Sequence, residues 1–145
     1  MKASSNEKGF TLIEMLVVLS IVMIITSSVI FISIERLEET EEKRFFRQFH
    51  LDVQRMQMIA ISEGNLMRLT FADGGTKYIV DHRDVILYEN DLPSTVRLSG
   101  DSPLKGLSYH PNGVIKQFGV MRFETKKENK RVVFYVGQGR MNYEE

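Results

Sequence analysis

The sequence has no cysteine, and its three prolines, Pro93, Pro103 and Pro111, all lie in the last third of the chain. The first absence excludes disulfides, thiolate metal sites and a cysteine nucleophile. The second leaves the stretch from Phe10 to Glu63 without proline, and it also lacks glycine, so nothing breaks a helix before Gly64 and Asn65. An excess of charge of one sign is missing too: 19 basic residues face 19 acidic ones. Bulk charge therefore gives no case for nucleic acid or an acidic partner, and any such site must be a local patch. Catalytic constellations are also lacking. His50, His82 and His110 are scattered, with no HExxH pair. "GQGRMN" lacks the third glycine of a dinucleotide fingerprint and follows a strand instead of opening a helix. "ADGG" is a turn with no Lys-Ser/Thr after it, and Asp81, Asp84 and Asp91 read as turn acids, where aspartate bonds its own backbone. No nucleophile–base pair emerges, so the chain reads as a non-enzyme, with no cofactor and no metal.

What is present is a concentrated apolar run. Mean hydropathy over the chain is only −0.16, yet the 25 residues from Phe10 to Ile34 carry one ionisable side chain, Glu14. About 20 apolar residues span a bilayer core, so this segment is long enough to cross with some tilt. Lys2 and Lys8 precede it and the acidic "ERLEETEE" (35–42) follows, which places the N-terminus in the cytoplasm and the rest outside. Beyond the run, Phe45, Phe49, Val53, Met56 and Ala60 recur at spacings of 4, 4, 3 and 4, one stripe of an amphipathic helix. A continuous helix from Phe10 to Glu63 would be on the order of 80 Å long. "EETEEKR" should form i,i+4 pairs on an exposed turn, and in an assembly also pairs between subunits.

The remainder reads as short strands. "LMRLTF" and "TKYIV" flank "ADGG", "HRD" leads into "VILYE", and "VRL" is a short strand between two loops. An Asn112-Gly113 turn follows, then "KKENK" as a hairpin tip, "RVVFYV" as the most β-prone run, and "GQGRMNYEE" as a tail. The fold class is therefore α+β, a long helix whose outer half packs on an antiparallel sheet. The expected divisions are a leader (1–9), a membrane helix (10–34), an amphipathic helix (35–63) and a sheet part (64–145).

Glu14 needs an explanation, because a carboxylate within a spanning helix costs about 2.5–3.5 kcal/mol unless it is partnered or near the interface. A short basic leader, Gly9, then Phe10-Thr11-Leu12-Ile13-Glu14 and some 20 apolar residues resembles the type IV prepilin signature. The resemblance implies cleavage after Gly9 by a prepilin peptidase, N-methylation of Phe10, and retention of the apolar helix. It implies too that Glu14 is an assembly carboxylate, facing the Phe10 ammonium of its own or a neighbouring helix and so setting axial register. An ordinary secretory signal cut near residues 25–28 is the rival, and it accounts for neither Glu14 nor "FTLIE".

"YHPNG", a strand pair and "VVFYVGQGRMN" resemble the C-terminal half of GspH/FimT-type minor pilins, and the whole layout resembles ComGD-type minor pilins of the competence pilus. The implied role is a structural subunit of a type IV pilus used in DNA uptake during transformation. The implied partners are the major competence pilin, other minor pilins and, before assembly, the lipid bilayer; the mature subunit would end at the cell surface. A pseudopilin of a protein-secretion machine shares every feature but the tail. DNA contact is an alternative. Its candidates are Lys126, Lys127, Lys130 and Arg131 at the hairpin tip, where lysines also serve against edge aggregation, and Arg140. At Arg140 the following "NYEE" opposes phosphate, and Gly137 and Gly139 read more simply as a tight bend. Co-expression with a prepilin peptidase should remove residues 1–9, and Gly9→Val should stay uncut; an unchanged mass for the wild-type chain would refute the cleavage reading.

Overall fold

A computed structural model describes residues 10–137 and 140–144. Helix α1 runs unbroken over Leu12–Glu63 and passes through two compact units that part between Glu38 and Glu39, four residues beyond the expected boundary. In the first unit α1 holds an 18-residue window of mean hydropathy 2.8, long and apolar enough to cross a membrane, none of it buried within the chain. Its serines make no demand on a solvent: Ser20, Ser27, Ser28 and Ser33 each donate to the carbonyl four residues back at 2.8–2.9 Å.

In the second unit α1 carries the core. Phe45, Phe49, Val53, Met56 and Ala60 are all buried, joined by Phe46, Glu42 and Asp52. Two four-stranded antiparallel sheets receive this face, where the sequence suggested one. The first has the order β3-β2-β1-β5, from β1 (Met67–Ala72), β2 (Lys77–His82), β3 (Val85–Asp91) and β5 (Gly106–Tyr109). The second has the order β4-β6-β7-β8, from β4 (Arg97–Leu98), β6 (Gly119–Glu124), β7 (Lys130–Phe134) and β8 (Met141–Glu144). Phe49, Phe71, Tyr78 and Phe123 meet at centroid distances of 5.5–6.1 Å, in tilted and edge-on pairs suited to ring quadrupoles. Arg83 and Asp84 take φ of 46° and 64°, the paired left-handed residues of a tight hairpin turn. Gly75 is obligatory: its φ is 90°, and a Cβ there would lie 2.5 Å from the Leu98 carbonyl oxygen.

Two expectations are corrected. Asp81 is not a turn acid. It lies in β2, 5% exposed, opposite Arg68, whose Nε and Nη2 donate to its two oxygens at 3.1 and 2.6 Å. A bidentate guanidinium makes that burial tolerable. Nor is the C-terminus a tail: β8 pairs with β7, and the Tyr143 hydroxyl donates to the Phe46 carbonyl at 2.8 Å.

Asp52 ties α1 to the first sheet. Its carboxylate accepts from Tyr78 Oη at 2.5 Å, Gln48 Nε2 at 2.9 Å and Asn90 Nδ2 at 3.0 Å, and its carbonyl accepts from Tyr88 Oη at 2.9 Å. Burial, then the Asp52 charge, raises the Tyr78 pKa well above the phenol range, and burial pushes Tyr88 up to about 12, so both remain donors. Phe49→Ala should cost about 3–5 kcal/mol through an unfilled cavity, and Asp52→Ala about 1–3 kcal/mol through orphaned donors. Met58→Ala, on the exposed face, should stay within about 0.5 kcal/mol. Thermal unfolding of the full chain in detergent micelles checks all three; equal losses at Phe49 and Met58 would contradict this core.

Candidate functional site

The first candidate site is the start of α1. Gly9 lies outside the described residues; Phe10 is 73% exposed at their edge. Thr11 and Glu14 form a reciprocal cap. The Glu14 N–H donates to Thr11 Oγ1 at 3.3 Å, and the Thr11 N–H donates to Glu14 Oε2 at 3.5 Å, the long end of hydrogen-bond range. The spacing T-x-x-E announces such a box in the sequence, although Glu14 drew attention only as an acid among apolar residues. The cap turns the Glu14 carboxylate back toward the chain start, where an ammonium on Phe10 would lie after cleavage. A carboxylate so held favours the positive end of the helix dipole as well.

The second candidate is the set of cations proposed for DNA. Lys126 and Lys127 lie in the loop between β6 and β7, shaped by Thr125, whose hydroxyl donates to the Glu128 carbonyl at 2.5 Å and accepts its N–H at 3.3 Å. Lys127 Nζ reaches Glu39 Oε2 at 3.5 Å, and Lys126 is also engaged. Lys130 Nζ stands 5.2 Å over the Phe46 ring, and Arg131 Nη2 is 4.0 Å from Glu144 Oε2. These four share one end of β7. Arg140 is not with them: it precedes Met141, which pairs with Phe134, whereas Arg131 pairs with Glu144 at the opposite end.

Residues not grouped in the sequence join this cluster from α1. Lys43, Phe46 and Arg47 line one groove with Lys130, Tyr143 and Glu144, of about 600 Å3. Phe46 and Tyr143 form its aromatic floor, edge to face at 5.9 Å. Lys43 binds Glu39 at 2.6 Å, and hydrogen bonding and charge from Lys43, then Lys127, lower the Glu39 pKa. The signal that could have found the groove is "KRFFR", cations alternating with rings on a helix. Among the described residues no group of three histidines or carboxylates suits a metal.

Residues 4–30 match the prokaryotic N-terminal methylation motif. The second set of findings concerns the fold. A crystal structure of the Pseudomonas aeruginosa type IV minor pilin FimU superposes with a TM-score of 0.61 at 13% identity, over 74% of this chain and 91% of that one. A second crystal form of FimU gives 0.55 at 12% identity, over 68% and 89%. This is a pilin fold. It is the fold of a structural subunit, not of an enzyme. Among curated proteins none matches the chain in sequence.

On this pilin fold, Thr11→Val should remove the reciprocal bond while leaving the insertion of the apolar run intact. Glu14→Val should still insert and be cut but drop out of filaments, and Thr11→Val should reduce incorporation less. Immunoblots of membrane and sheared filament fractions read both; normal incorporation of Glu14→Val would show that the carboxylate is dispensable.

Proposed function

We propose that the chain is a minor pilin of a competence type IV pilus, a structural subunit required for pilus assembly and for DNA uptake in transformation. One observation carries the pilin part of the reading: a methylation motif over residues 4–30 leads directly into an unburied apolar helix on a pilin fold. An enzyme that cuts after Gly9 and methylates Phe10 would leave a single-pass subunit, N-terminus in the cytoplasm and sheets outside. Glu14 then supplies the counter-ion for an N-terminal ammonium, its own or a neighbour's, as the subunit leaves the bilayer. An unpaired carboxylate in that setting costs several kcal/mol, on the order of the penalty for an uncompensated buried charge, which gives assembly its axial register. Partners are accordingly the prepilin peptidase, the major pilin and other minor pilins.

The competence role rests on the likeness of the tail and layout to ComGD-type subunits. A pseudopilin of a secretion machine is the second reading, favoured by everything in the N-terminal segment equally. Direct DNA contact is the weaker variant, since Lys127, Lys130 and Arg131 each already face a partner within the chain. Uptake of labelled duplex DNA by cells lacking the gene should be lost and should return when the gene is restored. Unchanged uptake would overturn the competence role and leave the secretion reading.

A further inference from the structure

The cationic groove is not accounted for by cleavage, membrane insertion or the Glu14 pairing. Three cations, Lys43, Arg47 and Lys130, face one carboxylate, Glu144, which already lies 4.0 Å from Arg131. Arg47 and its neighbour Arg44 have no ion-pair partner among the described residues, and Arg47 also borders a second groove of about 640 Å3 with Leu51 and Leu92. A long cation left unpaired beside apolar and aromatic surface has something to gain from an incoming anion.

The position of these cations narrows the choice of anion. They occupy the helical turn directly after an acidic block: Glu35, Glu38, Glu39, Glu41 and Glu42 precede Lys43, Arg44 and Arg47. The centres of the two blocks are about 6 residues apart, or about 9 Å along a helix. Parallel helices of one type, staggered by that amount, bring the acidic block of one beside the basic turn of the next, while helices in register meet like charge with like.

Resting on the pilin reading, we propose that the Lys43–Arg47 turn and its Lys130-lined groove dock the acidic turn that follows the apolar helix of a neighbouring pilin subunit, the counterpart of residues 35–42 here. The contact sets stagger outside the membrane as the Glu14 pairing sets it inside. An aromatic floor lowers the local dielectric around the pairs and makes them worth more than open-surface ion pairs.

The test uses the full chain in cells that build the filament. Arg44→Glu with Arg47→Glu should be processed normally yet fall at least about tenfold in sheared filaments, like-charge contacts replacing pairs, while Arg44→Lys with Arg47→Lys stays near wild type. Leu51→p-benzoylphenylalanine, which keeps both arginines, should on irradiation crosslink to the acidic helical segment of a pilin. Wild-type protein absent from filaments would overturn the pilin reading and this inference with it. Normal incorporation of the double glutamate variant, or crosslinks to nucleic acid, to sheet residues or to no pilin, would overturn the docking alone. If the double variant is degraded, the crosslink decides.

Discussion

One uninterrupted helix has to satisfy two different surroundings, and most of this structure follows from that requirement. From Leu12 onward α1 buries none of its most apolar window within the chain, whereas from Phe45 to Ala60 it supplies the spine of a conventional core. Water cannot be the medium for the first half, because contiguous apolar surface of that extent far exceeds what soluble monomers expose. Lipid, or the helices of other subunits, must cover it. The chemistry inside the run agrees, since each serine that donates does so to its own helix and leaves no group seeking water.

The second half shows how a pilin fold is anchored at low cost in sequence. Rings from α1 and both sheets meet around Phe49 and Phe123, while Asp52 adds direction that rings alone do not provide. An apolar stripe tolerates sliding by a turn; a buried carboxylate with four donors on three elements does not. The C-terminal strand completes the arrangement by placing Tyr143 on Phe46, which also builds the floor of the cationic groove.

Much of this was legible in the residues. The stripe could be read because helical periodicity is a local signal, and the turns at Arg83-Asp84 and Asn112-Gly113 because their chemistry is local too. The misread features are the non-local ones. Asp81 looked like a turn acid since its partner Arg68 lies 13 positions away across a strand pair. β8 looked like a tail because "MNYE" alternates weakly, and only its pairing with β7 reveals it. Four of the basic residues were grouped correctly along the chain, but the helix cations beside them, Lys43 and Arg47, were joined to Lys130 only by folding. The Thr11–Glu14 cap was readable, and the salience of a lone acid hid it.

The central claim is that the apolar half of α1 never meets water. The chain has no cysteine, so a single introduced thiol reports its own surroundings. Ile24 and Met58 are nearly equally open in the isolated chain, 67% and 65% exposed, and are the natural pair to compare. Treated with a membrane-impermeant maleimide, Ile24→Cys should stay unlabelled both in intact cells and in sheared filaments, while Met58→Cys is labelled in cells. Labelling of Ile24→Cys as fast as Met58→Cys in either preparation would contradict the account.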